Sequence, residues 1–129
     1  MRSAPLAQQR PIVIPIPLHP ERQQQRTYNQ AERIARSFCD VTGLPLKANG
    51  LLRLKKTAAQ YELSRQERFL NLQQAFSMGP DLPSTHRPPI LLVDDIFTTG
   101  ATFNAATDAL NQKGFQVVGL LSVAITERE

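Results

Sequence analysis

Residues 90–103, ILLVDDIFTTGATF, constrain this chain more than any other stretch. Four consecutive apolar residues read as a strand covered on both faces, as at the centre of a parallel sheet, with the acid pair Asp94-Asp95 ending the run. Open α/β sheets bind ligands at the carboxyl ends of their strands, so both carboxylates are expected where a ligand would sit. The loop behind them, Thr98, Thr99, Gly100, Ala101 and Thr102, carries only small side chains. Its backbone N–H groups and hydroxyls can close around a phosphate at the positive end of the following helix, and Gly100 permits the backbone conformation such a cradle needs. Adjacent carboxylates beside a buried strand repel one another, and an unpaired buried charge is costly, so a polyol or a metal ion is the expected partner. A polar strand end followed by a capped turn is the plainer reading, and the completeness of the pattern argues against it. Neither a Walker-type phosphate loop nor a G-x-G-x-x-G fingerprint occurs, which disfavours nucleotide-triphosphatase and dinucleotide-binding readings.

The remaining segments alternate between strand and helix. Residues 12–18, IVIPIPL, predict a short buried strand that leaves the sheet around Pro15, because Pro15 and Pro17 cannot donate ladder hydrogen bonds. From Tyr28 to Thr42, Ala31, Ile34, Ala35, Phe38 and Val41 fall at helical spacing, with Asn29 as N-cap and Gly43 as stop. Residues 46–54 predict a weaker strand, in which Asn49-Gly50 could instead turn. Ser64 and Glu67 form a capping box for a helix running to Phe76, and the proline-rich stretch 77–89 reads as a surface connection. Thr102 is placed to cap a helix through Lys113, Gly114 stops it, and residues 116–125 form a last strand. The expected fold class is therefore α/β: a parallel β-sheet flanked by helices, in one domain over residues 1–129.

Composition narrows the classes further. The single cysteine, Cys39, cannot form an internal disulfide or hold a zinc ion by itself, and is expected to be a small buried residue. No apolar run approaches the length that spans a bilayer, and the N-terminus lacks the apolar core of a secretory signal, so no membrane insertion and a cytoplasmic location are expected. The net charge of +4 is unevenly spread: residues 1–68 hold twelve Lys/Arg against five Asp/Glu, and residues 69–129 hold three against six. A basic half beside an acidic one suits a site that handles a polyanion.

The pattern at residues 90–103 resembles the fingerprint of the type I phosphoribosyltransferases. A narrower resemblance covers nearly the whole chain: PIPLHPERQQQRTYNQAERIA, LRLKKTAAQYELSRQERFLNLQQAF and LLVDDIFTTGAT look like the ComF family of phosphoribosyltransferase-like proteins, in order and spacing. The resemblance implies that Asp94 and Asp95 hold the ribose hydroxyls of phosphoribosyl pyrophosphate, bound with Mg2+, and that Thr98–Thr102 hold its 5′-phosphate. It implies a pyrophosphate loop over Ile16–His19, including Pro17, Leu18 and His19. It further implies a closing loop over Arg53–Gln60, from which Arg53, Lys55 and Lys56 can offset charge on the departing pyrophosphate.

The chain departs from the family pattern at two places, and a comparison with purine-salvage relatives adds a third difference. Members usually begin with a cysteine-rich zinc ribbon and a helical segment, which residues 1–129 lack, so functions carried there are expected to be absent or removed. Thr27-Tyr28 replaces the usual Gly-Phe, and Thr98 stands where purine-salvage relatives place an acidic base within the phosphate loop. Two functional classes stay open: a phosphoribosyltransferase with an unknown acceptor, or a non-catalytic, single-stranded-DNA-binding or regulatory module of the competence machinery. The second follows from the family's association with DNA uptake in natural transformation, and implies competence or DNA-uptake proteins as partners. Arg22 and Arg26 would then contact nucleic acid. A homodimer is a further expectation, since a short sheet can bury a face against a second copy.

Overall fold

The computed structural model describes residues 10–17, 29–54, 75–97 and 100–125. Among the described residues seven elements follow one another: β1 (Ile12–Pro15), α1 (Gln30–Thr42), β2 (Leu51–Arg53), β3 (Phe76–Met78), β4 (Ile90–Phe97), α2 (Ala101–Gln112) and β5 (Val117–Ile125). Strands β1, β4 and β5 make a parallel sheet with β4 in the centre, and β2 and β3 make a separate antiparallel pair. This is the α/β architecture expected, a parallel sheet with flanking helices, and it is compatible with a phosphoribosyltransferase-like fold.

Strand β4 is central because its apolar run can be buried on both sides. Ile90 and Leu92 point into a cluster with Ile12, Ile14, Leu110 and Phe115 on the α2 side, whereas Val93 joins Val13, Ala35 and Cys39 on the α1 side. Helix α1 presents Ala31, Ala35 and Cys39, one residue per turn, and these small side chains let it lie close to the sheet. Asn29 caps it, accepting from the Ala31 amide at 3.0 Å, and Gly43 ends it at φ 76°. Val41, expected on the buried face, is 87% exposed, because the helix is centred on the Ala31–Ala35–Cys39 stripe.

Several local expectations are corrected. Asp94 and Asp95 do not end their strand: β4 continues to Phe97, held by pairing with β5 as far as Ile125. The strand expected over 46–54 begins only at Leu51, because Lys47 to Gly50 turn on a Gly50 amide bond to the Lys47 carbonyl; Leu46 makes a single bridge to Val13. Phe76 lies in a strand and not at the end of a helix. It lies opposite Arg53 in the β2–β3 pair, and its ring is buried in the α2-side core, a tertiary gain that outweighs helical periodicity. The capping box at Ser64 and the helix from Arg65 to Gln74 lie outside the described residues.

Residues 77–89 are likewise more than a connection. Ser77 and Met78 belong to β3, and buried Pro89 offers its carbonyl to the Ile12 amide. Helix α2 is capped by Gly100 and not by Thr102, which sits inside its first turn. No helix among the described residues is long and apolar enough to cross a membrane.

Candidate functional site

The parallel register of β1 and β4 builds the site. Pro15 pairs with Val93, so the residues that follow each, Ile16-Pro17 and Asp94-Asp95, emerge side by side at the carboxyl end of the sheet. The exit of β1 is held from three elements. The Ile16 amide donates to the Val93 carbonyl at 2.8 Å, the Asn29 side chain donates to the Ile16 carbonyl at 3.3 Å, and the Arg53 guanidinium donates to the Pro17 carbonyl at 3.3 Å. Two successive residues, one of them proline, thus have their carbonyls met by side chains where ladder pairing stops.

Asp94 is half-buried and lies opposite Ser122 of β5. Its Oδ1 accepts from the Asp95 amide at 2.9 Å, and Asp95 Oδ1 accepts in turn from the Ile96 amide at 2.9 Å. Burial is the main cause that pushes the Asp94 carboxyl up to about 6. A side-chain hydrogen bond with Asp95 and the Asp95 charge add to the rise, while the Asp95 amide and the Arg53 charge oppose it. A sugar hydroxyl or a cation at this spot would favour the charged form of Asp94.

Gly100 lies beyond the acid pair at φ 83°, where a side chain would be strained, and its carbonyl accepts the Asn104 amide at 2.8 Å. Gly100 at the N-cap makes no side-chain cap bond, and the first turn of α2 carries no acidic residue, so the positive end of the helix stands behind the acidic strand end. Ala101 and Thr102 form the start of that turn.

Arg53, the last residue of β2, reaches the same place. Its guanidinium lies 5.1 Å from the centre of the Phe76 ring across the β2–β3 pair, and its charge acts on Asp94. Of the residues expected at the site, the structure therefore brings together Pro17, Arg53, Asp94 and Asp95, and sets Gly100, Ala101 and Thr102 at the start of α2. Leu18, His19, Arg22, Arg26, Lys55, Lys56, Thr98 and Thr99 lie outside the described residues. Asn29 and Phe76 were legible only as a cap and a core residue; their second roles, on the Ile16 carbonyl and beneath Arg53, depend on contacts that helical spacing does not reveal.

Other features lie apart from this end of the sheet. An open cleft of about 350 Å³ is lined by Arg36, Cys39, Asp40, Gly43, Leu44 and Leu46 at the far end of α1. Cys39 belongs to the core, where burial and then the Asp40 charge push its thiol up. Among the described residues no group of three or more His, Cys, Asp or Glu could hold a metal ion by protein ligands alone.

Comparison with known proteins adds the lineage. No family model matches the chain. It is 33% identical over 112 residues to competence protein F of Haemophilus influenzae, covering 87% of this chain and 49% of that protein. It is 32% identical over 104 residues to competence protein ComFC of Bacillus subtilis, covering 80% and 39%. It is 27% identical over 106 residues to the DNA utilization protein YhgH of Salmonella typhi, covering 82% and 45%. The chain thus spans about half the length, or less, of the curated relatives it matches. Similarity across four-fifths or more of its length to proteins of this one lineage, carried on the expected α/β fold, shows that the chain belongs to the ComF family.

Proposed function

We propose that the chain binds phosphoribosyl pyrophosphate together with Mg2+ and transfers the phosphoribosyl group to an acceptor, in the service of DNA uptake. The observation that carries this reading is the carboxyl end of β4. Two adjacent half-buried carboxylates stand before a run of small residues in which Gly100, in the left-handed conformation, opens a helix. Hydroxyls of a ribose suit the carboxylates, and a phosphate suits the helix end.

In this reading Asp94 and Asp95 hold the ribose 2′- and 3′-hydroxyls. Thr98, Thr99 and the backbone of Gly100 to Thr102 hold the 5′-phosphate, while Pro17, Leu18 and His19 frame the pyrophosphate. The carboxylates of Asp94 and Asp95 would suit Mg2+, which takes hard oxygen ligands and commonly binds through one or two carboxylates plus substrate phosphates. When bound, the ion would neutralise charge on the pyrophosphate. The acceptor's lone pair forms a bond to ribose C1 as the C1–O bond breaks, and that bond pair departs with pyrophosphate. Lys55 and Lys56, which follow Arg53 and Leu54 in sequence, offset the charge that builds there. With threonine at position 98, no base within the loop takes the acceptor's proton, so positioning and charge stabilisation carry the rate. The names of the relatives, competence proteins and DNA utilization proteins, support the link to DNA uptake.

Calorimetry in Mg2+ buffer tests the site: Asp94→Asn combined with Asp95→Asn is expected to abolish phosphoribosyl pyrophosphate binding, and unchanged affinity would sink the assignment. A second reading rests on the basic first half of the chain, in which Arg22 and Arg26 contact single-stranded DNA and the sugar site regulates or is silent. Anisotropy titration with a single-stranded oligonucleotide decides it, since no binding even at low salt would exclude it.

A further inference from the structure

We propose that Asn29 is a positioning residue for the pyrophosphate end of the site: its side-chain amide fastens the base of the β1–α1 connection and occupies the carbonyl that an anion would otherwise meet at the exit of β1. The inference rests on the reading of Ile16–His19 as the frame of the pyrophosphate. Asn29 and Ile16 stand 13 residues apart, at the two ends of that connection, and Asn29 Nδ2 donates to the Ile16 carbonyl at 3.3 Å. Asn29 Oδ1 accepts from the Ala31 amide at 3.0 Å. These partners leave the side chain one orientation, since a backbone N–H only donates and a carbonyl only accepts. Ala31 is 2% exposed, so the turn that carries Asn29 is itself seated in the fold.

Pro17 makes such a donor necessary. It has no N–H, so the Ile16–Pro17 peptide presents an acceptor and no donor, and left open it would only repel an anion. The Asn29 amide offsets that partial negative charge. The next carbonyl, that of Pro17, is met in the same way from β2 by the Arg53 guanidinium at 3.3 Å. The Ile16 amide meanwhile stays with the sheet, on the Val93 carbonyl at 2.8 Å. Both carbonyls at the exit of β1 are thus held by side-chain donors, one from the cap of α1 and one from the end of β2. A ligand that carries a pyrophosphate depends on this arrangement, and one that ends at the ribose does not.

Calorimetry in Mg2+ buffer, with phosphoribosyl pyrophosphate and with ribose 5-phosphate, compares wild type, Asn29→Ser and Asn29→Asp. Both variants keep an oxygen to cap α1 and lose the donor to Ile16, and only the second adds a charge. Each is expected to bind phosphoribosyl pyrophosphate about tenfold more weakly or worse, while ribose 5-phosphate changes by less than about twofold. Wild-type affinity in Asn29→Ser overturns the proposal whatever Asn29→Asp does, since repulsion by the added charge then explains the aspartate. An equal loss of both ligands overturns it too, as that is what a purely structural cap would give. The ligand-free chain supplies an independent readout: trypsin cleavage after Arg22 and Arg26, within the connection, is expected to quicken about threefold or more in Asn29→Ser, and an unchanged rate overturns the tie at its base. If Asn29→Ser does not fold, wild type decides by NMR: the Asn29 side-chain amide is expected to exchange about tenfold more slowly than a free asparagine amide, and exchange at the free rate overturns the proposal. Should wild type fail to bind phosphoribosyl pyrophosphate, the pyrophosphate reading fails, while the trypsin rates still decide whether Asn29 fastens the connection.

Discussion

Arg53 donates to the carbonyl of Pro17 across 3.3 Å, joining the end of an antiparallel strand to the exit of a parallel one. That bond links two sheets that share no ladder. It also explains how a short β2 of three residues holds its place beside the acid pair: the strand is fastened at its end by a side chain as well as along its length by pairing.

The acid pair should make stability fall as pH rises. Asp94 has a folded-state pKa of about 6 against an ordinary value of 3.8, so between these values the folded chain binds more protons than the unfolded one. The slope of stability against pH is then negative, and the full cost of ionising Asp94 is present above pH 6. Asp94→Asn is expected to stabilise the chain at pH 7 to 8 by about 1–2 kcal/mol, after allowing for solvent screening of a half-exposed group, with the gain vanishing near pH 4. Urea melts of both proteins across that range measure it, and equal stability at pH 8 would refute it.

Asn29 does two jobs with one amide. Its oxygen caps α1 by accepting from the Ala31 amide, and its nitrogen donates to the Ile16 carbonyl. Asn29→Ala should therefore cost about 1–2 kcal/mol, and Asn29→Asp, which keeps the cap but cannot donate, a smaller amount. Thermal melts of the two variants rank them; an aspartate as damaging as alanine would show that the Ile16 bond outweighs the cap.

Gly79 permits the close approach of β3 to the turn before β2. A β-carbon there would run into the backbone carbonyl of Asn49, while the Gly79 amide already donates to the Gly50 carbonyl and Asp81 Oδ2 accepts from the Asn49 amide. Gly79→Ala is expected to destabilise by about 3 kcal/mol, since backbone must move to admit the methyl group. Hydrogen exchange should show the loss concentrated in residues 49–54 and 76–82, and protection left intact there would contradict the argument.

The central strand was legible because burial on both faces demands an unbroken apolar run, and ILLV is one. The caps of α1 were equally legible, since Asn29 and Gly43 act through their own backbone and their nearest neighbours. The acid pair and Gly100 could be picked out as a candidate site for the same reason: their residue types are read at short range. The length of β4 was hidden, because what keeps Asp94 and Asp95 in a strand is a ladder to β5, whose residues lie about thirty positions away. Phe76 misled for a related reason: its spacing from Phe69 and Leu72 suits a helix, yet its place is decided by pairing with Arg53.

Sequence by itself determined the fold class, the order of the main described elements and the kinds of side chain set at the end of β4, since those follow from local pattern and side-chain identity. Only the tertiary structure decided that the Pro17 carbonyl, the Arg53 guanidinium and the Asp94 carboxyl meet in one place. Their meeting depends on the parallel register of β1 with β4 and on the docking of β2 with β3, and both are set by packing between residues far apart in the chain.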